Sequence, residues 1–115
     1  MSYHLEGKVF TSIANSDNGE VDSQTVFTYH QKGTKVWAEY KGGSIIEGHL
    51  IANVQSDGKL DMRYHHINEQ DELMMGTCIS TPEFLEDGRL KFYEKWQWLS
   101  GDKSSGQSEI IELDR

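Results

Sequence analysis

The chain has one cysteine, Cys78, and one proline, Pro82, in 115 residues. A single thiol cannot close an internal disulfide, so the fold is expected to hold without covalent staples, in a reducing compartment. Basic residues are also scarce. Eleven Lys and Arg against nineteen Asp and Glu give a formal net charge of −8. With no basic cluster, nothing draws the chain to phosphate or an anionic lipid surface, so neither nucleic acid nor membrane is an expected partner. No stretch approaches the roughly 20 apolar residues of a membrane helix. The opening MSYHLEGKVF has neither the basic start nor the apolar run of a signal peptide, and a cytoplasmic protein is expected. Length gives one domain, 1–115, with one core.

Helical periodicity is missing too, and alternation of period two takes its place. The stretch Lys35 to Gln55 reads as two long strands around a Lys41-Gly42-Gly43-Ser44 turn. Val36, Ala38 and Tyr40 share one face of the first strand. Ile46, Gly48, Leu50, Ala52 and Val54 share one face of the second, with Ile45, Glu47, His49, Ile51 and Asn53 opposite. Upstream, Lys8 to Ile13 and Ser23 to Gln31 are strands separated by the polar loop Ala14 to Asp22. Lys32-Gly33-Thr34 then turns the chain into the central hairpin.

Downstream, Ser56-Asp57-Gly58 turns into Lys59 to Asn68, which sets Leu60, Met62, Tyr64 and His66 on one face. Leu73 to Thr81 is apolar on both faces and is expected to end at Pro82, with a short helical turn over Pro82 to Leu85. The cleanest alternation follows Glu86-Asp87-Gly88: Leu90, Phe92, Glu94, Trp96 and Trp98 on one face, Arg89, Lys91, Tyr93, Lys95 and Gln97 on the other. Ser100 to Gly106 is a hairpin loop expected to be flexible, and Gln107 to Leu113 is the last strand.

Strands this close in sequence must run antiparallel. A meander leaves two exposed edges unless its first and last strands pair, so an up-and-down barrel of about eight strands is expected, with a two-sheet sandwich as the alternative. The lumen of such a barrel holds packed side chains or one small ligand.

Several inward residues carry chemistry. Glu94 sits among Leu, Phe and Trp, where an ionised carboxylate loses hydration and must be paired, protonated or kept beside water. It is the candidate catalytic residue, although a structural hydrogen bond or a place near the open end explains it as well. Tyr29, Tyr40 and Tyr64 offer rings with polar tips that suit a pocket or ordinary packing equally. His66 shares the face of Tyr64 and is a candidate polar group. Phe92, Trp96 and Trp98 are candidate pocket walls, or simply core. Cys78, in an apolar strand without a basic neighbour, is expected to be an inert buried thiol. Metal binding is not expected: His65 and His66 point to opposite faces, Glu47 and His49 make at most half a site, and no zinc motif occurs. No cofactor is implied.

The strand rhythm and the closing hairpin WQWLSGDKSSGQSEIIEL resemble calycin-type barrels: lipocalins, fatty-acid-binding proteins and avidin-like proteins. That resemblance implies an antiparallel barrel with a small-molecule ligand. The lipocalin Gly-x-Trp near the N-terminus is replaced here by Gly7-Lys8-Val9. Loop serines contact the ligand in avidin-like proteins, and Ser100, Ser104, Ser105 and Ser108 surround the last hairpin; none is assigned. The chain is also similar to small bacterial proteins, some labelled N-acetylglutamate synthase. An acetyltransferase of the usual kind needs a glycine-rich phosphate loop opening a helix, and neither is present.

Three functions follow. The first is binding of a small hydrophobic or aromatic molecule by Phe92, Trp96 and Trp98, with Glu94, Tyr40 and Tyr64 fixing its polar end. The second is catalysis on a small phenol or carboxylate, with Glu94 as general acid or base. Decarboxylases of this barrel type also use an inward Arg, whereas Arg63 and Arg89 face outward in this pattern. The third is a filled, structural or homodimeric barrel that associates through Trp37, Ile45 and Ile51.

Overall fold

Connections too short for a crossover bring each strand back beside the one before it. The computed structural model describes residues 4–113, so the first three residues of the segment tested above for a leader lie outside it. Eight strands are present: β1 (Val9–Asn15), β2 (Val26–Lys32), β3 (Lys35–Gly42), β4 (Ile45–Val54), β5 (Leu60–Asn68), β6 (Leu73–Phe84), β7 (Leu90–Trp98) and β8 (Ser105–Glu112). Each pairs with the next, and β8 pairs with β1 from Phe10↔Glu112 to Asn15↔Ser108, closing the cylinder. The protein is all-β, a single closed antiparallel up-and-down barrel.

Alternation becomes burial. Along β7, Leu90, Phe92, Glu94, Trp96 and Trp98 are buried, whereas Tyr93, Lys95 and Gln97 are exposed. Four sequence expectations need correction. Ile45 is buried and Ile46 exposed, the reverse of the expected phase. The register slips by one residue at this point, between Tyr40↔Gly48 and Gly42↔Ile45 on one side and between Ile45↔Asn68 and Glu47↔Ile67 on the other. Such a bulge adds a residue and flips the faces beyond it, so Ile45 cannot belong to an outer patch with Trp37 and Ile51. Pro82 does not end β6, which runs on to Phe84 with Pro82 opposite Phe92. Pairing with β5 stops at Leu60↔Ser80, so β6 is an edge beyond that point, where a missing N–H is tolerated. No helical turn follows; Leu85 and Arg89 instead close a turn through Leu85 N–H to Arg89 O, 2.8 Å. Finally, the last hairpin loop is shorter than expected, because Ser105 and Gly106 already belong to β8.

The lumen has two unlike halves. At one end Phe10, Tyr29 and Phe92 meet, with ring centroids 5.1 to 6.3 Å apart. Leu5, fully buried, plugs this end. Its segment is held there by Leu5 N–H to Gln31 Oε1 (2.7 Å) and Gly7 N–H to Tyr29 O (2.9 Å). The other end is the mouth.

Candidate functional site

The mouth half encloses a cavity of about 50 Å³. A water-sized group occupies roughly 10–15 Å³ on this measure, so roughly three to five non-hydrogen atoms fit. Tyr40, Tyr64, His66, Glu94, Trp96 and Trp98, all expected site residues, converge on this cavity with Phe27, Leu50, Met62 and Cys78. Tyr29 and Phe92, the other two candidates, lie in the packed half instead, against Phe10.

Glycines on neighbouring strands determine how the rings lie. A Cβ at Gly48 would collide with the Tyr40 ring, one at Gly76 with Tyr64, and one at Gly106 with Trp96. Gly76 stands between its partners Tyr64 and Trp98, whose rings meet edge-on at 5.7 Å. Trp98 also touches Trp96 at 5.5 Å and His66 at 5.7 Å. The aromatic groups therefore run along the wall, over bare backbone, and the centre stays open.

Glu94 lies between two serines on the neighbouring strands. Ser80 and Ser108 are its register partners on β6 and β8. Ser80 Oγ donates to Oε2 at 2.7 Å and Ser108 Oγ to Oε1 at 3.2 Å. Burial pushes the Glu94 carboxyl up from its ordinary range, against the opposing pull of both hydroxyls. Burial likewise raises the Tyr40 and Tyr64 phenols and the Cys78 thiol, so all three remain neutral at pH 7.

The roof is the connection from β1 to β2, residues 16–25, ten residues where the others have two to six. Its Glu20 carboxylate accepts from His66 Nε2 at 2.8 Å and from Asn68 Nδ2 at 3.2 Å. Ser44 Oγ donates to Glu20 O (2.9 Å), and Trp98 Nε1 to Asn18 O (3.1 Å). Asn18 Nδ2 in turn reaches Ser104 Oγ and Ser105 O, both at 2.9 Å. Burial lowers the His66 pKa, although Glu20 pulls the other way. A neutral ring fits the geometry: Nε2–H donates to Glu20, and Nδ1 accepts from Tyr40 Oη at 2.9 Å.

Two residues that line the cavity each keep one fully buried polar atom with no hydrogen-bond partner among the described residues, Trp96 Nε1 and Asn15 Oδ1. An unpaired buried polar group of this kind costs about 1–3 kcal/mol. The outer-face pair Glu47 and His49 bond each other at 2.8 Å and are exposed. No three His, Cys, Asp or Glu side chains converge among the described residues.

Asn15, Glu20 and Ser80 were not singled out from sequence as site residues, and Ser108 was named beside the last hairpin without being assigned. Unusual loop length in a meander of tight turns was the available signal for Glu20. For Ser80 and Ser108 the signal was a polar residue at an inward position, which becomes informative only once register is known.

A closed eight-stranded antiparallel barrel, filled at one end and hollowed into an aromatic pocket at the other, is a calycin-type barrel protein. More narrowly, the family model described as avidin-like protein matches residues 3–113, and the chain belongs to that family. Comparison with curated proteins gives no match, and comparison with solved structures gives none.

Proposed function

We propose that this protein is a binding module that takes a small, largely aromatic or apolar molecule, or the head of one, into the mouth cavity. What carries the reading is the contrast inside a single lumen: one end filled by aromatic rings, the other kept open by glycines beneath rings of the same kind. The lining is mostly aromatic and aliphatic, with Glu94, His66, Tyr40 and Tyr64 among its few polar side chains, the mixture that small-molecule pockets use. Membership of the avidin-like family supports small-molecule binding in general. The three tryptophans make the test direct. A fragment library is followed through the indole N–H resonances, with the surface residue Trp37 as internal control. Ligands of the cavity move Trp96 and Trp98 and leave Trp37 in place; a library that moves neither cavity indole overturns the reading.

Catalysis is a second reading, favoured by the Glu94 carboxyl, which burial pushes up from its ordinary range. Arg63 pairs with Asp61 and Arg89 with Asp87 on the outside, so neither supplies an inward cation for a carboxylate substrate. Turnover of a bound phenol that is abolished in the E94Q variant would favour this reading over simple binding.

A further inference from the structure

We infer that the outer face of the barrel carries a site for a soft metal ion, Cu(I), built by His49 on β4, His65 on β5 and Met75 on β6, with Glu47 orienting His49. The site lies on the opposite side of the sheet from the cavity and does not depend on what the cavity holds.

Along single strands, the sequence offers only half a site, Glu47 with His49, and a histidine pair split between two faces. Register supplies the other half. His49 is the direct partner of His65, and His65 the direct partner of Met75. All three residues are exposed. They form one row across three neighbouring strands, in which adjacent Cβ atoms stand about 4.5–5.5 Å apart. The ring centroids of His49 and His65 are 5.8 Å apart. Two imidazoles bound to one ion through nitrogens about 2.0–2.1 Å from it hold their centroids roughly 4.5–6.5 Å apart, as the angle at the metal opens from square to linear. The two strands already set the pair within that span, so the rings need only turn. Exposed side chains do so freely, in picoseconds to nanoseconds.

Hydrogen bonding then sorts the atoms. His49 Nε2 lies 2.8 Å from Glu47 Oε2, and a neutral ring that donates there leaves Nδ1 to bind metal. A carboxylate behind a ligating histidine fixes its tautomer and raises its basicity, the usual outer-shell arrangement. The His65 ring has no hydrogen-bond partner among the described residues, so its nitrogens are available. Glu39, the partner of His49 on β3, is committed to His30 Nε2 at 2.9 Å.

The ligand set decides the ion. Two imidazoles and a thioether face it, and no third His, Cys, Asp or Glu converges with them among the described residues. Hard, oxygen-seeking ions find no carboxylate cage, and zinc lacks the third nitrogen, oxygen or thiolate ligand that it ordinarily takes. Thioether sulfur selects Cu(I). Met75 is 51% exposed, so its sulfur is not committed to the core. The chain's charge of −8 favours the approach of any cation.

The test titrates the whole protein with Cu(I), kept reduced by ascorbate and buffered by a competing chelator, and follows the imidazole and methionine-methyl resonances. One equivalent is expected to move His49, His65 and Met75 and to leave His30 and the buried His66 in place. His49→Ala and His65→Ala are each expected to abolish saturable binding. Glu47→Gln is expected to weaken it about tenfold, the low end for an outer-shell partner. Met75→Leu is expected to weaken Cu(I) binding by roughly tenfold or more, since a ligand counts for at least as much as its outer shell, and to leave binding of Zn²⁺ unchanged. All four side chains are on the surface, so the variants are expected to fold. Shifts spread over all five histidines, or binding no tighter than that of the His65→Ala variant, overturn the site. Unchanged Cu(I) affinity in Met75→Leu, or Zn²⁺ held as tightly as Cu(I), overturns its assignment to a soft ion.

Discussion

At the closed end of the barrel, Phe10 on β1 and Tyr29 on β2 meet Phe92 on β7, so the rings reach across the bore and fill it. At the mouth, Tyr64 on β5 and Trp98 on β7 meet above Gly76 on the strand between them, and Trp96 lies over Gly106 on the next. Centroid spacings are similar at both ends, 5.1 to 6.3 Å at one and 5.0 to 5.7 Å at the other. Ring content and ring distance therefore do not distinguish a core from a pocket. The residue beneath each ring does: without a Cβ, the ring lies against the wall and leaves the axis free.

The comparison breaks most visibly at the filled end. Phe92 is fully buried among other rings, and Phe92→Ala removes the contacts that hold the bore shut. The expected loss is about 3–5 kcal/mol in urea unfolding, the range for large-to-small core changes at aromatics. Trp96 and Trp98 should keep their indole environments in whatever fraction remains folded. A loss below about 1 kcal/mol would mean that the closed end is no better packed than the mouth.

A smaller effect is expected where a ring meets glycine. Gly106→Ala places a methyl group against the six-membered ring of Trp96, which must swing away from the wall. Overpacking of this kind costs about 1–3 kcal/mol. Its distinctive sign is that the displaced indole enters the cavity, so small-molecule binding at the mouth falls along with stability. Unchanged binding at lowered stability would show that the glycine serves packing alone.

Much of this was legible in the sequence and some of it was not, for a physical reason. Alternation fixes which residues of β7 face inward, because the side-chain period is two whatever the neighbouring strand. It cannot show that Glu94 lies level with Ser80 and Ser108, nor that Gly76 stands between Tyr64 and Trp98. Those facts belong to register, which turns and bulges set. The bulge at Ile45 and Ile46 shows the cost: a single slipped residue reversed the expected faces there. Position along the bore was equally hidden, so Tyr29 and Phe92 looked like companions of Tyr64 and Trp98 although they occupy the other end. The roof was the largest omission, since a polar loop becomes a lid only through contacts as remote as Glu20 to His66.

The smallest effect separates the halves by charge. Phe10, Phe92 and Leu5 carry no titratable group, whereas the mouth buries a carboxyl and an imidazole whose shifts have opposite consequences. Glu94 is raised in the folded state, so the protein is most stable, for this group, below the ordinary carboxyl pKa. That stability is lost as pH rises through the folded value, because the native state binds the extra proton. His66 is lowered; its contribution is present above the ordinary histidine pKa and is lost as pH falls below it. Comparing wild type with E94Q cancels His66, which both share. At acid pH the variant should be less stable by no more than about 1 kcal/mol, since the amide, like the protonated carboxyl group, offers the two serines one acceptor and one donor and leaves only its second N–H idle. As pH rises the gap should narrow or invert, because only wild type then has a charge to bury. A gap that instead widens with pH would mean that Glu94 ionises comfortably in the folded barrel, and the mouth would then be polar and wet rather than the dry counterpart of the filled end.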